Sequence, residues 1–106
     1  AEGIPSASVA EARAQLQAAA PPLLLDVREP HEYAAGHAPG ALNVPLGEVA
    51  RWAESQPKEQ TILVICQTGR RSLNASKTLQ DHGFTAVTNV AGGTSAWLSQ
   101  GFPIER

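Results

Sequence analysis

Two short unbroken aliphatic runs, Leu23-Leu24-Leu25 ahead of Asp26-Val27 and Ile62-Leu63-Val64-Ile65 ahead of Cys66, constrain this chain more than any other feature. Each is bounded by turn signals and reads as a buried strand. Strand-like and helix-like segments alternate from end to end, which predicts an α/β domain with a mainly parallel sheet. A chain of 106 residues is long enough for one hydrophobic core, so one domain over residues 1–106 is expected.

The remaining segments follow from spacing and caps. Ser8-Val9-Ala10-Glu11 fits a capping box for a helix from Ser8 to about Ala20, with Val9, Ala12 and Leu16 on one face and Pro21-Pro22 ending it. Pro30 opens a short helical turn that closes near Gly36, and Ala41 to Val44 reads as a short strand. Leu46, Val49, Ala50 and Ala53 fall at helical spacing. A longer helix is predicted from about Arg70 to His82, with Leu73, Ser76 and Leu79 along one side, Ala75 on the same broad face and Gly83 as its left-handed stop. Phe84 to Val90 reads as the last strand. Thr94 is the expected cap of a final helix carrying Trp97 and Leu98 as core anchors.

Charge excludes several function classes. The formal net charge is −2 and the only basic cluster is Arg70-Arg71, so neither a nucleic acid nor a membrane surface has a footprint to bind. No apolar stretch approaches membrane-spanning length and no signal-peptide pattern opens the chain. The reading is a soluble, cytoplasmic protein, or a periplasmic one if an export signal ahead of Ala1 has been removed. A lone cysteine rules out an internal disulfide and any C-x-x-C redox or zinc motif.

Chemistry concentrates at Cys66. The thiol stands where a buried strand turns into a helix, the end of a parallel sheet at which ligands collect. There a helix N-terminus and two guanidinium groups favour thiolate, the reactive form. A buried structural cysteine is the plain alternative. The next six residues, Gln67-Thr68-Gly69-Arg70-Arg71-Ser72, weigh against it. Gly69 permits tight curvature, successive N–H groups can form a nest for an anion, and arginines placed against the helix dipole are unfavourable without a ligand. Asp26 and Arg28, at the end of the Leu23 strand, are read as supporting residues, through a mutual ion pair or through hydrogen bonds that brace the loop. His31, His37 and His82 show no metal-ligand spacing and no nearness to Cys66. His37 reads as structural, and His82 as closing a helix. Trp97 and Tyr33 read as core or core-edge aromatics, with Trp52 partly exposed.

Three segments together resemble the rhodanese-like sulfurtransferases. Cys66-Gln67-Thr68-Gly69-Arg70-Arg71-Ser72 is similar to the family's active-site loop, residues Leu25 to Ala41 (LDVREPHEYAAGHAPGA) to its amino-terminal signature, and residues Asn89 to Trp97 (NVAGGTSAW) to its carboxy-terminal one. Ala38 departs from the larger aliphatic residue usual after the Gly-His pair. The resemblance implies a three-layer fold around a sheet of about five strands. It also implies that Cys66 takes sulfur from a small anionic donor such as thiosulfate. The cysteine would hold it as a persulfide within Gln67–Ser72, then pass it to a thiol, a protein acceptor or, in an assay, cyanide. No metal or organic cofactor is implied, and the assembly expected is a monomer or weak homodimer.

Spacing separates the nearest rival. Cysteine-dependent phosphatases and arsenate reductases of related fold need arginine at the sixth position after the cysteine. Here that position is Ser72, and Arg71 falls one residue early. From a different class, a sulfur-carrier or protein-docking module would use the same loop without rapid turnover.

Overall fold

The computed structural model describes residues 3–106. In chain order the elements are β1 (Ser6–Ala7), α1 (Val9–Leu16), β2 (Leu23–Asp26), α2 (Pro30–Ala35), β3 (Leu42–Asn43), a 3-10 turn over Leu46–Glu48 running into α3 (Val49–Ala53), β4 (Ile62–Ile65), α4 (Arg70–Asp81), β5 (Val87–Val90) and α5 (Gly93–Ser99). The five strands form one sheet in the order β1-β5-β4-β2-β3, and every pairing is parallel. The parallel α/β architecture is the one the alternating pattern predicts.

Both aliphatic runs are interior strands. β4 is central and all four of its residues are buried. Alternation divides the core: Ile62, Val64 and Cys66 face Val49 and Ala53 of α3 and Ala75 and Leu79 of α4, whereas Leu63 and Ile65 face Val9 and Ala12 of α1 and Trp97 of α5. β4, covered on both faces, carries no polar side chain within the sheet. Cys66 is the first residue beyond it, still only 1% exposed.

Several expected boundaries move. The capping box forms as predicted, with Ser8 Oγ accepting from Glu11 N at 3.1 Å and Glu11 Oε1 accepting from Ser8 N at 2.8 Å. Yet α1 ends at Leu16 instead of near Ala20. Ala18, Ala19 and Ala20 are exposed and have no neighbouring face to bury, and helices of this length depend on packing. The last strand begins at Val87 and not at Phe84, because the Phe84 N–H is spent on Leu79 O in the close of α4. The strand expected at Ala41–Val44 is reduced to Leu42–Asn43.

Leu73 is half-buried, while Ser72, Ala75, Ser76 and Leu79 form the fully buried face of α4. Gly92 and not Thr94 caps α5, and Leu98 is 49% exposed, so Trp97 alone anchors that helix. β1 is two residues long and too short to leave a periodic signal. It exists because Asn89 N and Ala91 N find carbonyl partners in Pro5 and Ala7.

These placements predict opposite outcomes for two leucines. Leu79→Ala should cost about 2–5 kcal/mol and Leu98→Ala no more than about 0.5 kcal/mol, read from urea midpoints at unchanged m-value.

Candidate functional site

The sulfur of Cys66 lies where β4 gives way to α4. Gly69, with φ of +97°, starts α4 in the left-handed region and turns its N–H back onto Cys66 Sγ at 3.1 Å. Space is tight there as well, since a Cβ on Gly69 would stand 3.3 Å from Gly92 N. Ser72, one turn into α4 and fully buried, places Oγ 3.3 Å from Sγ. Burial pushes the Cys66 thiol up. The Ser72 hydroxyl and the N–H groups of Ser72, Gly69 and Thr68 outweigh it, holding the thiol below its ordinary range.

The loop is oriented from outside by α5. Thr94 N and Oγ1 donate to Cys66 O at 2.8 and 3.1 Å, and Ser95 N donates to Gln67 O at 3.0 Å. In a trans peptide the N–H opposes the C=O, so fixing these two carbonyls on α5 turns the N–H groups of Gln67 and Thr68 the other way. Gly93 makes the close approach feasible. Its φ is +58°, and a Cβ there would fall 2.5 Å from Cys66 O and 2.6 Å from Gln67 O.

The two arginines differ in their settings. Arg71 closes a two-pronged bridge with Glu32 of α2, at 2.7 and 2.9 Å. That bond raises the Arg71 guanidinium and holds the Glu32 carboxyl at about 2. Arg70 is exposed at the start of α4, beside exposed Thr68. The donor at the sulfur is therefore the backbone N–H of Gly69, with the Ser72 hydroxyl beside it and the Arg71 fork engaged with Glu32.

Asp26 and Arg28 do brace the loop. Arg28 Nη2 meets Asp26 Oδ2 at 2.9 Å with both side chains nearly inaccessible. The same guanidinium donates to Gly36 O at 2.8 Å and Gln67 Oε1 at 3.3 Å, joining the ends of β2 and α2 to the loop. Gln67 Nε2 in turn donates to Ser95 Oγ at 2.8 Å.

The histidines stay apart from Cys66. His37 Nδ1 lies 2.8 Å from Tyr33 O with its ring stacked on Tyr33, His82 Nδ1 lies 2.9 Å from Thr78 O, and His31 is exposed. Tyr33 donates its hydroxyl to Ala41 O at 2.6 Å and Trp97 Nε1 donates to Pro103 O at 2.7 Å, so both aromatics are structural. Trp52 is half-buried. Among the described residues no cluster of three His, Cys, Asp or Glu side chains could hold a metal ion, and no helix is long and apolar enough to cross a membrane.

Sequence reasoning missed Glu32, Asn89, Gly93, Thr94 and Ser95 as individual site residues. Glu32 stands 39 positions from its partner, and nothing local announces the pair. Asn89 did leave a signal: an asparagine inside a strand bounded by Val87 and Val90 is out of place unless its amide is used. It accepts from Ser72 Oγ and donates Nδ2 to Gly69 O at 3.2 Å.

Two outcomes follow from this geometry. Glu32, held at about 2 against an ordinary 4.5, contributes stability that is complete above pH 4.5 and lost as pH falls toward 2. Because both partners are partly exposed, Glu32→Gln should cost only about 0.5–1 kcal/mol at pH 7, and denaturation curves of the two proteins should converge near pH 2. Gly93→Ala should push the loop off α5, lowering the melting temperature and slowing iodoacetamide alkylation of Cys66 at pH 7.

Residues 8–100 match the family described as Rhodanese-like domain. The chain is 42% identical over 77 residues to YrkF of Bacillus subtilis (strain 168), which carries the provisional name of sulfur carrier protein. The match covers 73% of this chain but only 42% of that protein's length. It is 40% identical over 91 residues to thiosulfate sulfurtransferase 16, chloroplastic, of Arabidopsis thaliana, covering 74% of this chain and 76% of that one. Among solved structures it is similar to a human single-domain sulfurtransferase, with a TM-score of 0.83 at 33% identity over 92% of this chain and 98% of the other. With the family match spanning nearly the whole chain and a buried cysteine cradled at the carboxyl end of the central strand, this protein belongs to the rhodanese-like domain family and is a sulfurtransferase homologue.

Proposed function

We propose that the chain moves sulfane sulfur from a small anionic donor of the thiosulfate class to a thiophilic acceptor through a persulfide on Cys66. The observation that carries this reading is the sulfur's setting: a thiol held toward thiolate by Gly69 N and Ser72 Oγ at the mouth of a six-residue loop. The Cys66 thiolate attacks the outer sulfur of thiosulfate, a new S–S bond forms, and the donor's own S–S bond breaks with its electron pair leaving on sulfite. The product is R–S–S⁻. An acceptor thiolate or cyanide then attacks the outer sulfur and returns Cys66 as thiolate, so no external oxidant or reductant is consumed.

In this reading Gln67 to Ser72 hold the sulfur and its incoming donor, with exposed Arg70 and Thr68 at the entrance. Asp26 and Arg28 keep the loop in shape, and Arg71 works through Glu32. The plant relative's name supports the donor class, and the position of Ser72 where a phosphatase needs arginine argues against phosphate ester chemistry. A second reading, a carrier that is loaded once and discharged by docking, is supported by the provisional name of the Bacillus relative.

Intact-protein mass separates these readings. After incubation with thiosulfate the wild type should gain one sulfur atom, lost again on adding cyanide with release of thiocyanate, while Cys66→Ser gains none. No mass gain in wild type sinks the persulfide step. Loading without measurable turnover to thiocyanate favours the carrier.

A further inference from the structure

The hydroxyl of Ser72 has one hydrogen and two claims on it. Oγ sits 3.3 Å from Cys66 Sγ, and it is also hydrogen-bonded to Asn89 Oδ1 of β5. Ser72 is 0% and Asn89 6% exposed, so bulk water does not relieve the competition. Turning the Asn89 amide over would offer Nδ2 to Ser72 and free the hydroxyl for sulfur. That rotamer is blocked, because Nδ2 already donates to Gly69 O at 3.2 Å and the turn would set two carbonyl oxygens against each other.

Consider each state of the sulfur with that amide fixed. In the neutral thiol a chain of donors closes: Cys66 S–H to Ser72 Oγ, and Ser72 O–H to Asn89 Oδ1, with every hydrogen used. In the thiolate the sulfur only accepts. Either Ser72 turns to it and strands a buried amide oxygen, or Ser72 stays with Asn89 and its lone pairs face a charged sulfur. A persulfide avoids the conflict, since its charge lies on the outer sulfur, about 2 Å farther out among the loop N–H groups. The inner sulfur then needs no donor, and the Ser72–Asn89 bond stays intact.

We infer that Asn89 is a positioning residue that competes with the resting thiolate for the Ser72 hydrogen, so that the site favours its sulfur-loaded form over its empty one. The second half of this statement rests on the persulfide reading above; the first does not.

Substitutions at positions 72 and 89 leave the local charges in place. α4 brings Arg70, exposed, and Arg71, bound to Glu32 of α2 with Glu29 beside it; from the end of β2 comes Arg28, bound to Asp26. β5 and α5 contribute no charged side chain.

The test is a double-mutant cycle on the pH dependence of Cys66 alkylation by iodoacetamide, using wild type, Asn89→Leu, Ser72→Ala and the double variant. Asn89→Leu should lower the apparent Cys66 pKa by about one unit, a tenfold change in the thiol–thiolate equilibrium. The shift should vanish in the Ser72→Ala background. An upward shift, no shift, or a shift that persists without the hydroxyl overturns the inference, the last because it would come from the Gly69 carbonyl instead. If the leucine variant does not unfold cooperatively, Asn89→Val removes the same amide with a strand-favouring side chain and is read in the same way.

At a fixed thiosulfate-to-sulfite ratio and a pH above the thiol's titration, the ratio of persulfide to thiolate should fall about tenfold in Asn89→Leu. An unchanged ratio beside a shifted pKa would overturn the preference for the loaded form. Wild type that never gains sulfur would sink the function reading while leaving the alkylation cycle to decide the role of Asn89.

Discussion

β4 is hydrogen-bonded on both edges and covered on both faces, and that double burial organises everything around it. Neighbours β2 and β5 must be parallel strands with helical crossovers, since four consecutive apolar residues leave no wet side for the sheet. The first polar chemistry the chain can offer at this level is Cys66. The backbone that follows has left the ladder, so its N–H and C=O groups need other partners. Those partners decide the character of the site. α5 takes the carbonyls of Cys66 and Gln67, and the opposite edges of the same peptides are turned away from it.

Charge at the site is handled by dipoles more than by ions. Arginines next to a cysteine suggest direct ion pairing, yet Arg71 has its best geometry with Glu32 and Arg28 with Asp26. A carboxylate offers a guanidinium two matched oxygens, which a single sulfur does not. The guanidinium groups thus hold α2 and the loop together, and the sulfur is left to N–H groups whose directions the fold fixes, with a hydroxyl beside it that Asn89 also engages. Such donors suit an anion whose position changes by one bond length during a reaction, because several of them can share it. Arg70 stays exposed at the start of α4.

Most of the large features were legible in the sequence because they are local. The two aliphatic runs, the capping box at Ser8-Glu11, the proline at the start of α2 and the glycine after α4 each write their structure within a few residues. Cys66, the curvature at Gly69 and the pairing of Asp26 with Arg28 were readable for the same reason. Boundaries were not: α1 stops where its packing surface stops, β5 starts where Phe84 has finished serving α4, and Leu98 points to solvent because one anchor, Trp97, is enough for a helix of seven residues.

Sequence alone determined the sheet class, the placement of a lone cysteine at the end of its central strand, and a loop whose sixth residue is serine and not arginine. Tertiary structure decided which groups touch the sulfur. Glu32 captures Arg71 from 39 residues away, Thr94 and Ser95 pull on the loop from 28 residues away, and Asn89 reaches Ser72 from the neighbouring strand. The physical reason is that a hydrogen bond depends on distance and direction in space, and residues far apart in a chain acquire both only after the sheet and its helices have packed.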